Sequence, residues 1–268
     1  MADTPCHFPL RLRVHDGAMK LALLSDLHAN RRALEACLAH ARAEGAARCV
    51  LLGDLVGYGA EPAEVLDAVM DLHAGGALVV RGNHDEAALQ PAAAQQTAED
   101  VSAAWTHARL TPAHRAFLAG LPLAATLEDT LFVHASAREP ARWEYVDRPE
   151  LAERCLEAAR RDWGARRVFC GHVHEQHLYY RGRDGRPQAF APAPGIPIPL
   201  TAHRQWLGVV GSVGQPRDGD PRAMYALLDL AHARLVFHRV AYDHTAAAAA
   251  IRAAGLPEHF AQRLEGGR

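Results

Sequence analysis

Short apolar runs alternate with amphipathic stretches through the first third of the chain. Residues 19–25, 48–53 and 77–81 are each an apolar run of strand length, and such a run is typical of a buried strand. Residues 31–45 carry apolar side chains at helical spacing, and the Glu61-Pro62 pair opens a second helix, since proline is favoured in the first helical turn. This alternation predicts parallel strands joined by right-handed helical crossovers.

The middle of the chain departs from this alternation. Residues 86–120 have helical character and no strand pattern, so we predict a helical cap segment inserted between strands. Residues 131–133 and 167–170 are further predicted strands, and a helix is predicted between them over residues 149–163.

The last third changes character again. The Asp184-Gly185 turn predicts an antiparallel hairpin, and the Pro-rich residues 187–200 are predicted to form an irregular loop. The remaining predicted elements are strands at 207–210, 224–230 and 235–242 and short helices at 244–254 and 257–264.

Residues 1–18 lack the periodicity of the segments that follow. Either they are an N-terminal extension that precedes an original start at Met19 and is dispensable, or residues 10–14 add an edge strand. The sequence leaves both interpretations open. Because no internal repeat or linker is visible, we predict a single domain over residues 19–268.

Composition narrows the classes of function. The chain has 268 residues, of which 49% are apolar and 22% charged, with a formal net charge of −2, as in ordinary globular proteins. It shows no basic patch suited to a long nucleic acid, no apolar run long enough for a membrane and no signal-peptide pattern. Its five scattered cysteines form no Cys-x-x-Cys pair, which argues against disulfides or a cysteine zinc site and fits the cytoplasmic location we expect.

Aspartate and histidine recur in five short clusters, each directly after an apolar run. Alone, each cluster has an ordinary explanation, such as a turn or a surface histidine pair. Because the carboxyl ends of strands in an open α/β sheet converge on one edge, the five together predict one site with ligands for two metal ions. The clusters are Asp26-x-His28, Gly53-Asp54, Gly82-Asn83-His84-Asp85, Val133-His134 and Gly171-His172-Val173-His174.

The set resembles the pattern of the calcineurin-like metallophosphoesterase superfamily, which is D-x-H, G-D, G-N-H-D/E, H and G-H-x-H. Every position of the pattern is filled, and the resemblance covers about residues 19–242. It implies an α/β fold of four layers, an α/β/β/α sandwich of two mixed β-sheets flanked by helices. It also implies two divalent metal ions, for which Mn²⁺ or Fe suits the oxygen and imidazole donors, with Zn²⁺ as the alternative.

The resemblance also implies a role for each residue. Asp26, His28 and His174 would hold the first ion, Asn83, His134 and His172 the second, and Asp54 would bridge both. A hydroxide bridging the ions would attack phosphorus, and His84 would protonate the leaving oxygen. Asp85 would orient His84 and favour its protonated form, because a carboxylate raises the pKa of a nearby imidazole.

Two further residues bear on the substrate. Tyr58, four residues after Asp54, either lines the pocket and stacks on a base or is a packing residue. Arg217 lies in a glycine-rich loop over residues 211–219, where it either contacts a phosphate or pairs with Asp218 or Asp220.

The expected activity is hydrolysis of a small phosphomonoester, phosphodiester or nucleotide, such as a cyclic nucleotide or a diadenosine polyphosphate. The partner is therefore a small phosphorylated molecule, nucleotide-like in character, and the oligomeric state stays open. The alternatives are a protein serine/threonine phosphatase and a non-catalytic scaffold of the same fold, like the retromer subunit. Scaffold members have broken motifs, whereas this chain keeps every ligand and His84.

Overall fold

The computed structural model describes residues 10–12, 19–182, 185 and 187–268. Within these residues the strands are β1 Leu10–Leu12, β2 Lys20–Leu24, β3 Arg48–Leu51, β4 Leu78–Val79, β5 Ala124–Leu127, β6 Thr130–Val133, β7 Arg167–Cys170, β8 Gln176–Arg181, β9 Pro187–Phe190, β10 Ile198–Pro199, β11 Gln205–Val210, β12 Ala223–Asp229 and β13 Arg234–Val240. The α-helices are α1 Arg31–Ala43, α2 Pro62–Ala74, α3 Asn83–Leu89, α4 Ala98–His107, α5 Pro112–Gly120, α6 Pro149–Trp163, α7 His244–Ala253 and α8 Glu258–Gly266.

Local chemistry accounts for several helix boundaries. The Asn30 side chain accepts a hydrogen bond from the Ala33 amide, which satisfies one of the free donors at the start of α1. Proline opens α2 and α6, where its missing N–H costs no helical hydrogen bond. Gly164 ends α6 in the left-handed conformation, as is common at helix C-termini.

The strands form two sheets of mixed direction. The first sheet has seven strands in the order β1-β5-β6-β7-β11-β8-β9, and the second has six in the order β10-β13-β12-β2-β3-β4. In the second sheet β2, β3 and β4 are parallel, as the alternation predicts, while β12 runs antiparallel to β2 and β13. The first sheet likewise combines parallel pairs, such as β6 with β7, and antiparallel ones, such as β8 with β11.

The two sheets pack face to face, with helices outside them. Leu23 of the second sheet lies in one buried cluster with Phe132 and Phe169 of the first sheet. Leu34 of α1 belongs to a second core on the outer face of the second sheet, together with side chains of α2, and α6 covers the outer face of the first sheet. The predicted four-layer α/β/β/α sandwich is therefore confirmed.

Residues 86–120, the range proposed as a cap segment, consist of helices joined by loops. The end of α3, α4 and α5 lie in this range. Leu110 and Leu118 pack into the core that also contains α1 and α2. The Ser102 hydroxyl of α4 accepts a hydrogen bond from the Tyr58 amide at 2.8 Å, which ties the segment to the loop after β3.

Three parts of the sheets differ from the sequence predictions. Strand β5 was not predicted, and residues 187–200, predicted to be irregular, contain β9 and β10. β9 pairs with β8 and β10 with β13, each at the edge of its sheet, where proline is tolerated because the outward N–H is not needed. Strand β1 pairs in parallel with β5, which matches the edge-strand interpretation over Leu10–Leu12. The extension prediction for residues 1–9 and 13–18 lies outside the described residues.

The loops that follow β2, β3 and β4 of the second sheet and β6, β7 and β11 of the first sheet carry the polar clusters. Both groups of loops meet at one edge of the sandwich, as the contacts below show. Among the described residues, no helix has the length and apolar character needed to cross a membrane.

Candidate metal centre

Asp26, His28 and His174 converge in the first of two buried ligand clusters. The His174 Nε2 atom lies 3.2 Å from Asp26 Oδ1 and 3.1 Å from His28 Nε2. The His28 Nε2 atom lies 3.8 Å from the same Asp26 oxygen. These three atoms are close enough together to coordinate one ion.

Asp54, His134 and His172 form the second cluster. The His134 Nε2 atom lies 3.4 Å from Asp54 Oδ2 and 3.1 Å from His172 Nδ1. The Asn83 amide oxygen joins this group, 3.0 Å from His134 Nε2. The second cluster thus offers one carboxylate oxygen, one amide oxygen and two imidazole nitrogens.

Asp54 links the two clusters through a single oxygen. Its Oδ2 atom lies 3.8 Å from His28 Nε2 in the first cluster and 3.4 Å from His134 Nε2 in the second. Its Oδ1 atom accepts a hydrogen bond of 2.8 Å from the His84 amide, which fixes the carboxylate. The Asp54 oxygen is therefore placed to bridge two ions, as the resemblance implies.

Backbone carbonyls set the orientation of all four histidine rings. A carbonyl only accepts, so the ring nitrogen that faces it carries the hydrogen, and in the neutral ring the nitrogen that faces the centre presents a lone pair. The pairs are His28 Nδ1 with Val56 O at 3.3 Å, His134 Nδ1 with Leu52 O at 2.8 Å, His172 Nε2 with Trp143 O at 3.0 Å and His174 Nδ1 with Gln215 O at 2.6 Å.

This arrangement fits divalent metal ions. The inward nitrogens of His28 and His174 lie 3.1 Å apart, and so do those of His134 and His172. With both rings of a pair neutral, two acceptors would meet, which is repulsive unless a proton or a metal ion lies between them. The buried Asp26 Oδ1 atom has no hydrogen-bond partner among the described residues, which leaves it for the same cation.

The charges of the metal-free centre agree with this reading. Burial lowers the pKa of His134, but the attraction of the Asp54 carboxylate for the protonated ring, together with weaker contributions of the same sign, is larger than the effect of burial, and the pKa of His134 rises to about 9. Burial and the neighbouring His134 lower the pKa of His172 to about 4. Burial also holds the pKa of His28 well below its ordinary value. A proton on His134 thus supplies positive charge where the second ion would lie.

Strained loops place the ligands. Asp26, His28, Asp54, His172 and His174 have φ values between 46° and 67°, in the left-handed region. Holding a non-glycine residue in this region costs on the order of 1–3 kcal/mol of conformational free energy, and such strain is characteristic of functional sites.

Two glycines allow these loops to touch. A Cβ atom on Gly82 would lie 2.2 Å from Asp54 Oδ1, and one on Gly171 would lie 1.8 Å from Ser25 Oγ. Both distances are shorter than any real contact of a Cβ atom, so a side chain at either position would force the loops apart. The clusters therefore need glycine beside their ligands.

His84 lies at the edge of the first cluster. Its ring centroid is 4.3 Å from that of Tyr58 and 5.1 Å from that of His28. Its ring nitrogens make no hydrogen bond within the described part of the chain, which leaves them available to a ligand. Burial lowers the pKa of His84, so the ring is neutral near pH 7.

The role expected for Asp85 was wrong. Its Oδ1 accepts hydrogen bonds from the amides of Leu55 (2.8 Å) and Val56 (3.2 Å), and its Oδ2 accepts one from Gly82 (2.9 Å). Consecutive residues of a helix do not face each other, so Asp85 points back to the loop after β3 while the His84 side chain points elsewhere. Asp85 caps the start of α3, and burial governs the pKa of His84.

Tyr58 and Arg217 lie together beside His84. Tyr58 is 5% exposed and its ring also contacts Phe260, which agrees with the packing interpretation. The Arg217 guanidinium lies 5.7 Å from the Tyr58 ring centroid and donates to the Gln215 side chain at 2.8 Å.

The acidic partners considered for Arg217 have other partners. Asp218 pairs with Arg239, and Asp220 pairs with Arg222. Arg217 therefore makes no ion pair among the described residues.

Sequence reasoning missed two residues of the centre. The carbonyl of Trp143 orients His172, and the Tyr145 ring stacks on the His172 ring with centroids 3.9 Å apart. Both follow His134 in a loop without a recognisable motif. The only signal available in the sequence was a pair of aromatic residues in a polar loop close to a ligand.

Comparison with known proteins agrees with the geometry. A sequence model described as the calcineurin-like phosphoesterase superfamily domain matches residues 19–233. An uncharacterized protein of Methanocaldococcus jannaschii is 31% identical over 256 residues, covering 92% of this chain and 98% of that protein.

Solved structures show the same fold. A metallophosphoesterase from Sphaerobacter thermophilus has a TM-score of 0.81 at 34% identity, covering 94% of this chain and 100% of the other. A hypothetical protein from Pyrococcus horikoshii OT3 has a TM-score of 0.74 at 20% identity, and the match covers 93% of this chain and 99% of the other. The chain therefore belongs to the calcineurin-like phosphoesterase superfamily.

Proposed function

We propose that the chain is a metal-dependent phosphoesterase that hydrolyses a small phosphoester at the two ligand clusters. The observation that carries the proposal is the single Asp54 oxygen facing histidine nitrogens of both clusters. Two metal ions bound so close together supply positive charge to the phosphoryl oxygens and activate water. The donors favour Mn²⁺ or Fe, with Zn²⁺ as the alternative.

Seven residues would hold the ions. The first ion would take Asp26, His28 and His174, the second Asn83, His134 and His172, and both would share Asp54. The backbone carbonyls behind the histidines keep each ring in the tautomer that binding requires. The loops are therefore organised for the ions before the ions bind.

His84 is the proposed proton donor to the leaving oxygen. Its ring lies beside the first cluster and its nitrogens are not used by other described residues. Burial makes the ring neutral in the free chain. The negative charge of a bound phosphoester favours its protonation, so the proton would be acquired together with the substrate.

Arg217 is the proposed anchor for the substrate phosphate. A guanidinium matches the geometry of phosphate oxygens and keeps its charge at every working pH. Its position next to Tyr58, which in turn contacts His84, places it at the same edge as the proposed proton donor. A small, nucleotide-like phosphoester is the substrate that we propose.

A substrate panel tests the proposal. Wild-type protein loaded with Mn²⁺, Fe²⁺ or Zn²⁺ would be assayed on p-nitrophenyl phosphate, bis-p-nitrophenyl phosphate, 2′,3′-cyclic nucleotides, diadenosine tetraphosphate and a phosphopeptide. We expect turnover of a small ester that a chelator abolishes and a divalent metal restores.

Two variants complete the experiment. His84→Ala should retain both metals and lose turnover, while His232→Ala, which alters a histidine whose side chain is 65% exposed, should behave like wild type. Turnover of the phosphopeptide alone would favour a protein phosphatase. No metal-dependent turnover of any compound would favour a scaffold and contradict the proposal.

A further inference from the structure

An exposed tyrosine lies against the second ligand cluster. The Tyr145 ring is nearly parallel to the His172 ring, at 23° with centroids 3.9 Å apart. One face of Tyr145 is covered by this contact, yet 49% of the residue is exposed. Phe190 and Ile196 are also large exposed hydrophobic residues of the described chain, but Tyr145 is the one that stacks on a proposed ligand.

The loop that carries Tyr145 is bent to hold it there. Glu139 and Trp143, on either side of a 3₁₀ turn over Pro140–Arg142, have φ values of 47° and 54°. Left-handed backbone is unfavourable for a residue as bulky as tryptophan, so surrounding contacts must maintain it.

Two of those contacts are with the metal centre. The Trp143 carbonyl accepts a hydrogen bond from His172 Nε2, and the Trp143 ring meets the His134 ring edge-on with centroids 5.8 Å apart. The same loop therefore sets the orientation of His172 and the position of Tyr145 above it.

Tyr145 lies next to the second ligand cluster, because His172, the residue on which it stacks, belongs to that cluster. A molecule whose phosphate lies at the ligand clusters would have its organic part within reach of the open face of Tyr145.

We infer that the open face of Tyr145 stacks on a nucleobase, so that the substrate class is a nucleotide. The inference rests on the proposed function, because the phosphate must lie at the ligand clusters. Aromatic side chains bind bases of any sequence through their faces, and an exposed aromatic face beside a phosphate site meets the requirement. A phosphoester without an aromatic ring would leave that face in water.

Two ligands that differ only in the base test the inference. Adenosine 5′-monophosphate and ribose 5-phosphate share the sugar and the phosphate. Their dissociation constants would be measured by calorimetry on Mn²⁺-loaded protein with His84→Ala, which suppresses turnover. We expect the base to tighten binding by about 5- to 150-fold, the range found for stacking of one base on an aromatic side chain.

Substitutions at Tyr145 then assign the effect. Tyr145→Ala should bring the two ligands to nearly equal affinity, and Tyr145→Phe should keep the preference for the base. Phe190→Ala, which removes another exposed aromatic ring, is the matched control and should keep the preference. A purely structural role for Tyr145, in holding His172, would weaken both ligands by the same factor and leave their ratio unchanged.

The outcomes separate this inference from the proposed function. Equal affinities in the Tyr145-containing protein, or a preference that survives Tyr145→Ala, would overturn the inference even if the wild-type enzyme hydrolyses the substrate panel. A preference that depends on Tyr145, in a wild-type protein without metal-dependent turnover, would support the inference and contradict the proposed activity.

Discussion

The substitution Asp85→Asn distinguishes a capping residue from a partner of His84. Asp85 Oδ2 accepts the Gly82 amide at 2.9 Å, and Oδ1 accepts the amides of Leu55 and Val56. An asparagine oxygen in place of Oδ1 would keep two of these bonds, but its NH₂ group would face the Gly82 N–H. The opposite orientation of the asparagine amide would leave the backbone N–H groups of Leu55 and Val56 without an acceptor.

The magnitude follows from the lost hydrogen bond. A buried donor without a partner costs about 1–3 kcal/mol, so we expect Asp85→Asn to lower the free energy of unfolding by about 2 kcal/mol. At about 2–4 °C per kcal/mol for a chain of this size, the Tm should fall by about 4–8 °C. Because α3 begins with Asn83 and His84, its displacement should also weaken metal binding.

Thermal unfolding with a chelator, followed by metal titration, provides the assay. Glu86→Gln changes an exposed carboxylate on the same helix and should leave the Tm nearly unchanged. In metal-saturated Asp85→Asn we expect the pH profile of kcat to keep its wild-type position. An unchanged Tm combined with a shifted pH profile would refute our reasoning and restore the role of Asp85 as the partner of His84.

Three further predictions concern the same centre. Gly82→Ala should lose most of its metal affinity in a titration, because the added Cβ would lie 2.2 Å from Asp54 Oδ1, whereas Gly120→Ala, with open space around it, should bind normally. Metal binding at pH 7 should release about one proton, because His134, with a pKa of about 9, must lose its proton to bind an ion. Calorimetry in buffers of different ionisation enthalpy measures the number of protons released. The affinity for the metal should rise with pH up to about 9 and then level off. Arg217→Ala should raise KM about tenfold with a smaller change in kcat, while the surface variant Arg222→Ala should match wild type in steady-state kinetics.

The positions of the candidate ligands could be predicted from the sequence because they coincide with strand ends. Asp26 and Asp54 directly follow apolar runs, and parallel strands bring such positions to one edge. Residue type alone then identifies oxygen and nitrogen donors. The structure adds what the motifs do not contain, namely the backbone carbonyls that turn each ring toward the centre.

The role of Asp85 could not be predicted in the same way. Its neighbour His84 is adjacent in sequence, but the helical backbone turns the two side chains in different directions. Tyr145 was missed because its contact with His172 depends on a strained loop that no motif signals. Adjacency in sequence therefore suggested a contact between Asp85 and His84 that does not form, and no local pattern indicated the contact between Tyr145 and His172.

The short strands were missed for a related reason. β10 is two residues long, β9 begins with a proline and β5 begins with two alanines, so none of them carries the run of large apolar residues that marks β6 and β7. Their pairing depends on strands elsewhere in the chain, such as β13 for β10 and β8 for β9. Tertiary contacts rather than local propensity define such edge elements.

The metal content of wild-type and Asp54→Asn protein tests the central claim most directly. After loading with Mn²⁺ and removal of free metal, we predict two ions per wild-type chain by elemental analysis. Asp54→Asn should hold fewer than one, because one oxygen faces both clusters. A wild-type chain that holds a single ion or none, or an Asp54→Asn chain that still holds two, would contradict the account.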